Sequence, residues 1–308
     1  MPEFRAGSTS QIDFLDELVE TGLLTRTGVH GVYARGGEFE RVRLAFDALV
    51  TRTAEPESPE AVYFPPLLPR EQLESSGYLG SFPHLAGTVF AFDGDDQAAS
   101  EQSTRAAAHE DWSEFQEMTE MVLMPAACYP LYPAVAARGA VPEGGVTLDT
   151  GDSYVFRREP SSDPARMQIF HMREIVRIGE RETVVAWRSQ WRSRAEALLR
   201  SLGLSLELDI ANDPFFGRSG RLLAAAQRDQ ELKWELMAPV AGSLTAIASS
   251  NYHQDHFGHV CGLCTADGQP AHTGCMAFGE ERVTLALFSA HGLDVPSWPE
   301  AVVQKLEL

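Results

Sequence analysis

Residues 154–178 read YVFRREPSSDPARMQIFHMREIVRI, with two runs of apolar and aromatic residues on either side of a polar segment. Such runs favour β-strands, and the polar, proline-containing segment between them favours a loop. The stretch therefore predicts an antiparallel hairpin with a long tip. Because side chains alternate between the two faces of a strand, Arg157 and Glu159 are expected to lie side by side.

The predicted hairpin carries side chains that suit a nucleotide. A fixed guanidinium at Arg157 can neutralise an α-phosphate, and a carboxylate at Glu159 can receive an amine. An aromatic ring on the return strand, at Phe170, can stack on a purine. We therefore treat this hairpin as the centre of a candidate nucleotide site.

The rest of the chain mixes strands and helices without regular alternation. Helical patterns occur twice within 11–50, around a glycine-rich turn, and again at 97–124, 179–202, 217–230 and in a final helix from Glu281. Strand patterns cover 61–64, 88–92, 146–148, 153–158, 168–178, 204–209, 231–239 and 243–250. This order predicts an α+β fold with a mostly antiparallel sheet. Four large aromatic residues are expected in its core: Trp187, Trp191, Phe215 and Phe216.

The chain is strongly acidic. Its 308 residues include 44 acidic and 25 basic side chains, which gives a formal charge of −19. A protein that binds nucleic acid through its phosphates needs a basic face. The charge therefore argues against a large nucleic-acid partner such as tRNA and is neutral about other partners.

Membrane and export signals are not expected in this sequence. The longest apolar stretches, at 121–127 and 283–288, are much shorter than the roughly 20 residues that span a bilayer. The first 14 residues contain no apolar run and do not resemble a signal peptide. We expect a cytoplasmic protein whose cysteines remain thiols. The four cysteines are Cys128, Cys261, Cys264 and Cys275.

Two parts of the chain resemble signature motifs of the class II aminoacyl-tRNA synthetases. FRRE at 156–159, followed by a loop and RMQIF at 166–170, resembles motif 2. AFGEER at 277–282, followed by VTLALF, resembles motif 3, in which a glycine-rich turn leads an arginine into a helix. Arg282 matches that arginine, which in the family lies against the adenine and the terminal phosphates. Ala277 stands where the family usually has its first glycine.

More specifically, the chain resembles the amino acid:[carrier protein] ligases, which are relatives of the atypical, zinc-containing seryl-tRNA synthetases. The residues that carry this resemblance are YFPPLLPREQLESSGYLGSFPHLAG at 63–87, CYPLYP at 128–133, FHMREIVRIG at 170–179, SSNYHQDHFG at 249–258 and AHTGCMAFGEER at 271–282. The resemblance implies a class II synthetase-like antiparallel sheet flanked by helices, without a tRNA-binding arm.

The resemblance also implies a two-step reaction. The family uses ATP with Mg²⁺ to form an aminoacyl-adenylate from a small amino acid, glycine or alanine. It then passes the acyl group to the phosphopantetheine thiol of a carrier protein. By resemblance, Arg157 and Mg²⁺ would offset charge at the α-phosphate in the first step.

A zinc ion is the second cofactor that the resemblance implies. In these ligases one Zn²⁺ is held by Cys, Glu and Cys, which match Cys128, Glu174 and Cys275. Three protein ligands leave a fourth position open, as in catalytic zinc sites. The α-amine of the amino acid can take that position.

Residue types and resemblance together give a set of candidate site residues. The candidates for ATP binding are Arg157, Glu159, Arg166, Met167, Phe170, Lys233, Ser249 and Arg282. Of these, Arg157 and Arg282 are the candidate catalytic residues. The amino acid is expected to contact Glu174, Asn251 and His253.

Plainer interpretations remain open for single members of this set. They are a core thiol at Cys128, an ion pair at Glu174, a surface lysine at Lys233 and capping side chains in the loop 251–256.

The cysteine spacing leaves a second metal arrangement open. Cys261 and Cys264 form a Cys-x-x-Cys pair that could build a four-ligand structural zinc site with Cys275 and either His272 or His259. That site would remove Cys275 from the catalytic metal. We favour the catalytic assignment and expect Cys261 and Cys264 to be small buried residues.

Two other functions stay open at this point. The same adenylate could pass to a small-molecule amine, as in an amide- or peptide-forming ligase. A catalytically inactive synthetase paralogue could also act as a regulator. Such paralogues usually lose motif arginines, whereas Arg157 and Arg282 are present.

The expected organisation has two units, an N-terminal helical segment at 1–52 packed on the core and a catalytic domain at 53–308. Class II catalytic domains pair through motif 1. The apolar, proline-rich stretch 61–92 could serve that role, which predicts a homodimer. The carrier protein is expected to dock on helices outside the sheet, within 97–124 or 179–230.

Overall fold

A computed structural model describes residues 11–308, except for the side chains of Arg218, Ser219 and Leu223. The expectation that the first residues are not a signal peptide, and the beginning of the segment 1–52, lie outside the described residues. In the part of the chain that is described, no helix has the length and apolar character needed to cross a membrane.

Helices and strands follow one another along the whole described chain. The helices are α1 Gln11–Glu20, α2 Gly37–Ala54, α3 Arg70–Ser75, α4 Tyr78–Ser81, α5 Asp96–Ala107, α6 Leu131–Ala136, α7 Arg181–Ser201, α8 Gly217–Asp229, α9 His256–Cys261, α10 Glu280–His291 and α11 Glu300–Leu306. The strands are β1 Leu24–Arg26, β2 Tyr33–Arg35, β3 Glu60–Ala61, β4 Leu67–Pro69, β5 Thr88–Phe92, β6 Gln116–Leu123, β7 Val146–Asp149, β8 Ser153–Phe156, β9 Ile169–Gly179, β10 Glu207–Ile210, β11 Lys233–Val240, β12 Ser243–Gln254 and β13 His272–Gly279.

The central sheet has eight strands in the order β10-β11-β12-β13-β9-β7-β3, and β8 pairs with β9 beside this path. Its pairings are antiparallel except for the short one between β3 and β7. The predicted hairpin is β8 and β9, with Val155 opposite Phe170. The α+β class and the mostly antiparallel sheet are therefore confirmed.

The two faces of the sheet bury different clusters. On β13, Met276 and Phe278 belong to the large core that also contains residues of α2, α7 and α10. Cys275 and Ala277 belong to a smaller cluster. Since successive side chains of a strand point to opposite faces, β13 separates the large core from the second face. The candidate site lies on that second face.

Helix α2 is part of the large core. Phe39 stacks on Phe288 of α10 with ring centroids 5.9 Å apart, and Phe46 meets Phe278 edge to face at 5.7 Å. The helix continues to Ala54, so the expected boundary at residue 52 falls inside its last turn.

The prediction of one long helix over 97–124 was wrong. Helix α5 ends at Ala107, and residues 116–123 form β6, which pairs with β4 and β5 in a separate three-stranded sheet. His109, with φ of 57°, lies just beyond the helix in a left-handed conformation. The partner strands of β6 come from 67–92, so pairing at long range overrides the helical pattern that the local sequence suggests.

The argument that placed Arg157 beside Glu159 was also wrong. β8 ends at Phe156, and the N–H of Glu159 donates to the carbonyl of Arg157 at 2.7 Å, which makes a tight turn. The two-residue period of a strand does not apply to such a turn.

Four further predictions need correction. The strand expected at 61–64 is only Glu60–Ala61, and α10 is followed by a further helix, α11. Cys261 and Cys264 are half-buried rather than buried, because Gly262, with φ of 69°, ends α9 and starts a surface turn. Trp187 and Trp191 are in the core as expected, but Phe215 is only half-buried and Phe216 is 57% exposed.

Candidate functional site

A cavity of about 220 Å³ lies against the face of the sheet opposite the large core. Its walls come from β9, β11, β12 and β13, from the segment around α4, from the loop before α6 and from the segment that contains α8. Ten of the predicted site residues line it: Cys128, Arg157, Phe170, Glu174, Lys233, Ser249, Asn251, His253, Cys275 and Arg282. Residues that are far apart in the sequence therefore meet in one place.

Three predicted residues are not in the lining of this cavity. Arg166 forms an ion pair with Glu159 at 3.3 Å, and the side chain of Arg166 is 59% exposed. Met167 is buried and lines a narrow slot next to the cavity, together with Phe170 and Arg282.

Cys128, Glu174 and Cys275 are buried together in the cavity wall. The N–H of Cys128 donates to Oε1 of Glu174 at 3.1 Å. A hydrogen bond with Cys128, burial and the charge of Glu174 raise the pKa of Cys275 well above its usual range. For Cys128, the hydrogen bond with Cys275 acts to lower the pKa, but burial and Glu174 outweigh it, and the pKa is raised. The two thiols and the carboxylate are thus in mutual contact.

This contact does not amount to a formed metal site. Among the described residues, no group of three or more His, Cys, Asp or Glu side chains is arranged to hold a metal ion. The alternative cluster around Cys261 and Cys264 is not such a group either, and Cys275 contacts Cys128 instead.

Strand β12 supplies polar side chains beside Cys275. Asn251 lies opposite Cys275 in the register, and its Nδ2 donates to Sγ of Cys275 at 3.3 Å and to Oγ of Ser249 at 3.1 Å. His253, two residues further, has Nε2 3.8 Å from Sγ of Cys275. Burial lowers the pKa of His253 to about 4, so this imidazole is neutral at pH 7. Side chains alternate between the two faces of a strand, so Ser249, Asn251 and His253 share one face of β12.

Two arginines line the cavity near Phe170. Nε of Arg157 donates to the carbonyl of Pro125 at 3.1 Å, and its guanidinium lies 5.9 Å from the ring centroid of Phe170. Arg282 donates to the carbonyls of Ala165 at 2.8 Å and Ala246 at 3.0 Å. These bonds to main-chain carbonyls hold both guanidinium groups in place without neutralising their charge.

Lys233 is held by two carboxylates, and the sequence identified neither of them. Its Nζ lies 2.6 Å from Oδ1 of Asp213 and 3.1 Å from Oε1 of Glu235. Gln227 of α8 donates to the other oxygen of Asp213 at 2.8 Å. Asp213 and Gln227 sit in a segment with no motif, so no local signal marked them. The ion pair rules out a plain surface lysine at Lys233, whose side chain is 12% exposed.

The segment that holds Asp213 also reaches across to α4. The ring of Phe215 stacks on Phe82 with centroids 5.0 Å apart, and the N–H of Phe216 donates to the carbonyl of Ser81 at 2.8 Å. Tyr78 lines the same side of the cavity, and burial raises its pKa to about 12. Its hydroxyl is therefore neutral at pH 7.

Solved structures share this fold. Over 96% of this chain and 60% of the other, it superposes on a seryl-tRNA synthetase of M. kandleri, in complex with A. aeolicus tRNASec, with a TM-score of 0.80 and 20% identity. A seryl-tRNA synthetase from Pyrococcus horikoshii complexed with ATP gives a TM-score of 0.67 with 15% identity over 96% of this chain and 62% of that one. The fold is that of the class II aminoacyl-tRNA synthetases.

Sequence comparison identifies nearer relatives. No family model matches the chain. Amino acid--[acyl-carrier-protein] ligase 1 of Bradyrhizobium diazoefficiens is 44% identical over 94% of this chain and 89% of its own length, and ligase 2 is 45% identical over 96% and 88%. A type-2 serine--tRNA ligase of Methanopyrus kandleri is 25% identical over 85% of this chain and 53% of its own length. With such identity over nearly the whole chain to the first two, this protein belongs to the amino acid--[acyl-carrier-protein] ligase family.

Proposed function

We propose that the chain activates a small amino acid with ATP and transfers it to the phosphopantetheine thiol of a carrier protein. The observation that carries this proposal is the single cavity that joins Arg157, Phe170 and Arg282 to Cys128, Glu174 and Cys275. One half suits a nucleotide and the other half suits an amine. The names of the two Bradyrhizobium relatives support the same activity.

In the first step, an oxygen of the amino acid's carboxylate attacks the α-phosphorus of ATP. The bond to the bridging oxygen breaks, pyrophosphate leaves, and an aminoacyl-adenylate remains. Arg157 stabilises the charge that develops on the α-phosphate, since its guanidinium is already held by the carbonyl of Pro125. Arg282 adds positive charge, Lys233 offers a phosphate oxygen the one donor that Asp213 and Glu235 do not take, and Phe170 stacks on the purine. Mg²⁺ bound to ATP offsets charge on the phosphates.

The amine side of the cavity fits a zinc ion by the chemistry of its donors. Two thiols and a carboxylate, Cys128, Cys275 and Glu174, are among the ligand types that Zn²⁺ prefers. As buried anions they would repel one another, and a divalent cation relieves that repulsion. These three residues would hold Zn²⁺, which supplies an open position for the α-amine. Asn251 donates to Sγ of Cys275 and orients that ligand.

In the second step, the thiol of the carrier's phosphopantetheine attacks the carbonyl carbon of the adenylate. The bond from that carbon to the phosphate oxygen breaks and AMP leaves, so a thioester forms and the thiol proton is released. We propose that the phosphopantetheine arm enters beside Phe82 and Pro214, both of which line the cavity.

Glycine or alanine is the amino acid that we propose. Phe257 lines the cavity beside the candidate zinc ligands, and the fully buried Tyr132 stacks on it at 3.9 Å, with its hydroxyl 3.3 Å from Nδ1 of His253. Large side chains on the substrate would have to displace these rings, which is costly in a packed wall.

We also propose that the chain works as a homodimer built on the stretch 61–92, and that the segment 1–52 supports the catalytic domain 53–308. The exposed rings of Phe90 and Phe92, two residues apart on β5, support the dimer, and Tyr63 is a further exposed ring of the same stretch. Large apolar side chains that are exposed together are typical of a surface that pairs.

The test of the activation step is ATP–pyrophosphate exchange with each standard amino acid in turn. We expect exchange with glycine or alanine and none above background with leucine or phenylalanine. Exchange that is independent of any amino acid, or no exchange by a correctly folded, metal-loaded protein, would contradict the proposal.

A further inference from the structure

A buried ionic cluster lies behind the nucleotide side of the cavity and has no part in the chemistry proposed above. Glu281 is 1% exposed and His171 is 2% exposed. Oε2 of Glu281 accepts a hydrogen bond from the backbone N–H of His171 at 2.8 Å, and Oε1 lies 2.6 Å from Nδ1 of the same residue. Arg35 of β2 donates from Nη1 to Oε1 at 2.7 Å. Three donor groups thus converge on one carboxylate.

Further contacts hold the outer side of this cluster. Nη2 of Arg35 donates to the hydroxyl of Tyr154 at 2.7 Å. The ring of Tyr154 lies against the imidazole of His171 with centroids 3.8 Å apart, and Nε2 of His171 is 3.3 Å from Oδ1 of Asp152. Both nitrogens of His171 are therefore engaged.

The cluster connects the neighbours of two residues of the proposed nucleotide site. Glu281 immediately precedes Arg282 at the start of α10, and His171 immediately follows Phe170 on β9. Arg282 and Phe170 line both the main cavity and the narrow slot beside it, and Glu281 lines that slot as well. The bonds between Glu281 and His171 thus connect the residue before the arginine to the residue after the ring.

Stability alone does not account for such a cluster. Removing a carboxylate from water is costly, and an apolar replacement of similar size often gives a fold that is equally stable or more so. A carboxylate with three directed hydrogen bonds does what an apolar side chain cannot, because it fixes the distance and angle between two elements. Here those elements are β9 and the first turn of α10.

We propose that Glu281 and His171 are positioning residues that set the adenine slot between Phe170 and Arg282. The proposal rests on the proposed function, since it takes ATP as the nucleotide. It predicts that loosening the cluster weakens ATP binding and leaves recognition of the amino acid intact.

The test uses Glu281→Gln in the full chain, with pyrophosphate exchange measured as ATP and the amino acid are varied separately. We expect KM for ATP to rise about tenfold, since one charge-assisted set of bonds is lost, and KM for the amino acid to change by less than about twofold. The matched control is Glu57→Gln. The carboxylate of Glu57 also accepts three hydrogen bonds, from the indole N–H groups of Trp187 and Trp191 and from Arg194, and none of these residues lines the cavity or the slot. This control should lower the melting temperature and leave KM for ATP unchanged.

Two results would overturn the positioning role. One is an unchanged KM for ATP in Glu281→Gln, and the other is an equal rise in both variants. If Glu281→Gln does not fold, Tyr154→Phe gives the milder test, because Tyr154 is 37% exposed and loses only the hydroxyl that Arg35 holds. It should raise KM for ATP about twofold to threefold, and no rise would again reject the role.

Calorimetry with a non-hydrolysable ATP analogue separates this inference from the proposed function. A wild-type protein that binds the analogue without catalysing exchange contradicts the proposed function. A wild-type protein that exchanges, next to a Glu281→Gln variant of equal affinity for the analogue, contradicts only the positioning role.

Discussion

The backbone N–H of Cys128 donates a 3.1 Å hydrogen bond to the side chain of Glu174, which ties the loop before α6 to β9. On the neighbouring strand, Ala277 lies opposite Glu174, and Cys275 is two residues away on the same face. The two thiols and the carboxylate therefore meet only in this register of β9 and β13. A slip of one residue would turn Cys275 to the opposite face of the sheet.

This relationship predicts the metal content of single variants. Cys275→Ser should lose most of a zinc content of about one ion per chain, because two ligands hold zinc far more weakly than three. Cys261→Ser is the matched control and should keep its zinc, since Cys261 is half-buried and outside the cavity lining. Elemental analysis of both purified proteins makes the comparison. Zinc lost from Cys261→Ser would instead favour the separate structural site.

Arg157 is predicted to act on the α-phosphate. Arg157→Ala should lower the rate of pyrophosphate exchange on the order of 10²-fold to 10³-fold, as for the loss of one preorganised donor. Arg158→Ala supplies the control, because Arg158 is exposed and does not line the cavity. Equal rates for Arg157→Ala and the wild type would show that another residue stabilises the developing charge.

The ion pair of Asp213 and Lys233 predicts a dependence of stability on pH. Burial acts to raise the pKa of Asp213, but Lys233 outweighs it, and the pKa is lowered. Burial acts to lower the pKa of Lys233, but Asp213 and Glu235 outweigh it, and the pKa is raised. The stability that the ionised carboxylate of Asp213 contributes is therefore present above its unfolded pKa of about 4, and it is lost as pH falls through the lower pKa of the folded state. The stability that the ammonium of Lys233 contributes is present below about pH 10 and is lost only above that pH.

Asp213→Asn should therefore melt at a lower temperature than the wild type at pH 7, and this difference should shrink in acid, below about pH 4. Asp209→Asn is the control, since Asp209 is 58% exposed and its ion pair with Arg228 is long, at 3.6 Å. We expect almost no change for it, as for most surface pairs. Thermal unfolding followed from pH 3 to pH 8 measures both, and a difference for Asp213→Asn that grew in acid would be the wrong sign.

The proposed homodimer predicts the effect of a charge in the stretch 61–92. Phe90 is 54% exposed, and Phe90→Glu should shift the protein from dimer to monomer, because a buried unpaired carboxylate is costly in an apolar interface. Leu222→Glu changes another exposed apolar side chain, 75% exposed on α8, and should leave the dimer intact. Light scattering after size-exclusion chromatography gives the mass of each. A wild-type monomer at micromolar concentration would count against the pairing.

Patterns along the chain predicted the part of the fold that local sequence controls. Two apolar runs around a polar loop predicted the hairpin of β8 and β9. The motifs predicted that Arg157 and Arg282 share one site, and both line the same cavity. Strand β6 could not be found in this way. Its partners β4 and β5 come from 67–92, and only their pairing makes a strand of 116–123.

The residues that sequence reasoning missed at the site depend on contacts that no local pattern encodes. Asp213 follows a strand without a recognisable motif. Its role as the partner of Lys233 depends on the fold, which brings the two side chains to 2.6 Å from each other. Glu281 belongs to the stretch that resembles motif 3, but its bond to the backbone of His171 requires the packing of α10 on β9. Such partners become visible only when the strands and helices are assembled.

Loading of a carrier protein tests the central claim most directly. The assay incubates the enzyme, ATP, Mg²⁺ and labelled glycine or alanine with three acceptors: a phosphopantetheinylated carrier protein, the same carrier without phosphopantetheine, and tRNA. We predict label on the phosphopantetheinylated carrier alone, in a bond that hydroxylamine cleaves as it does a thioester. Label on tRNA, or a free amide product with every carrier unlabelled, would contradict the account.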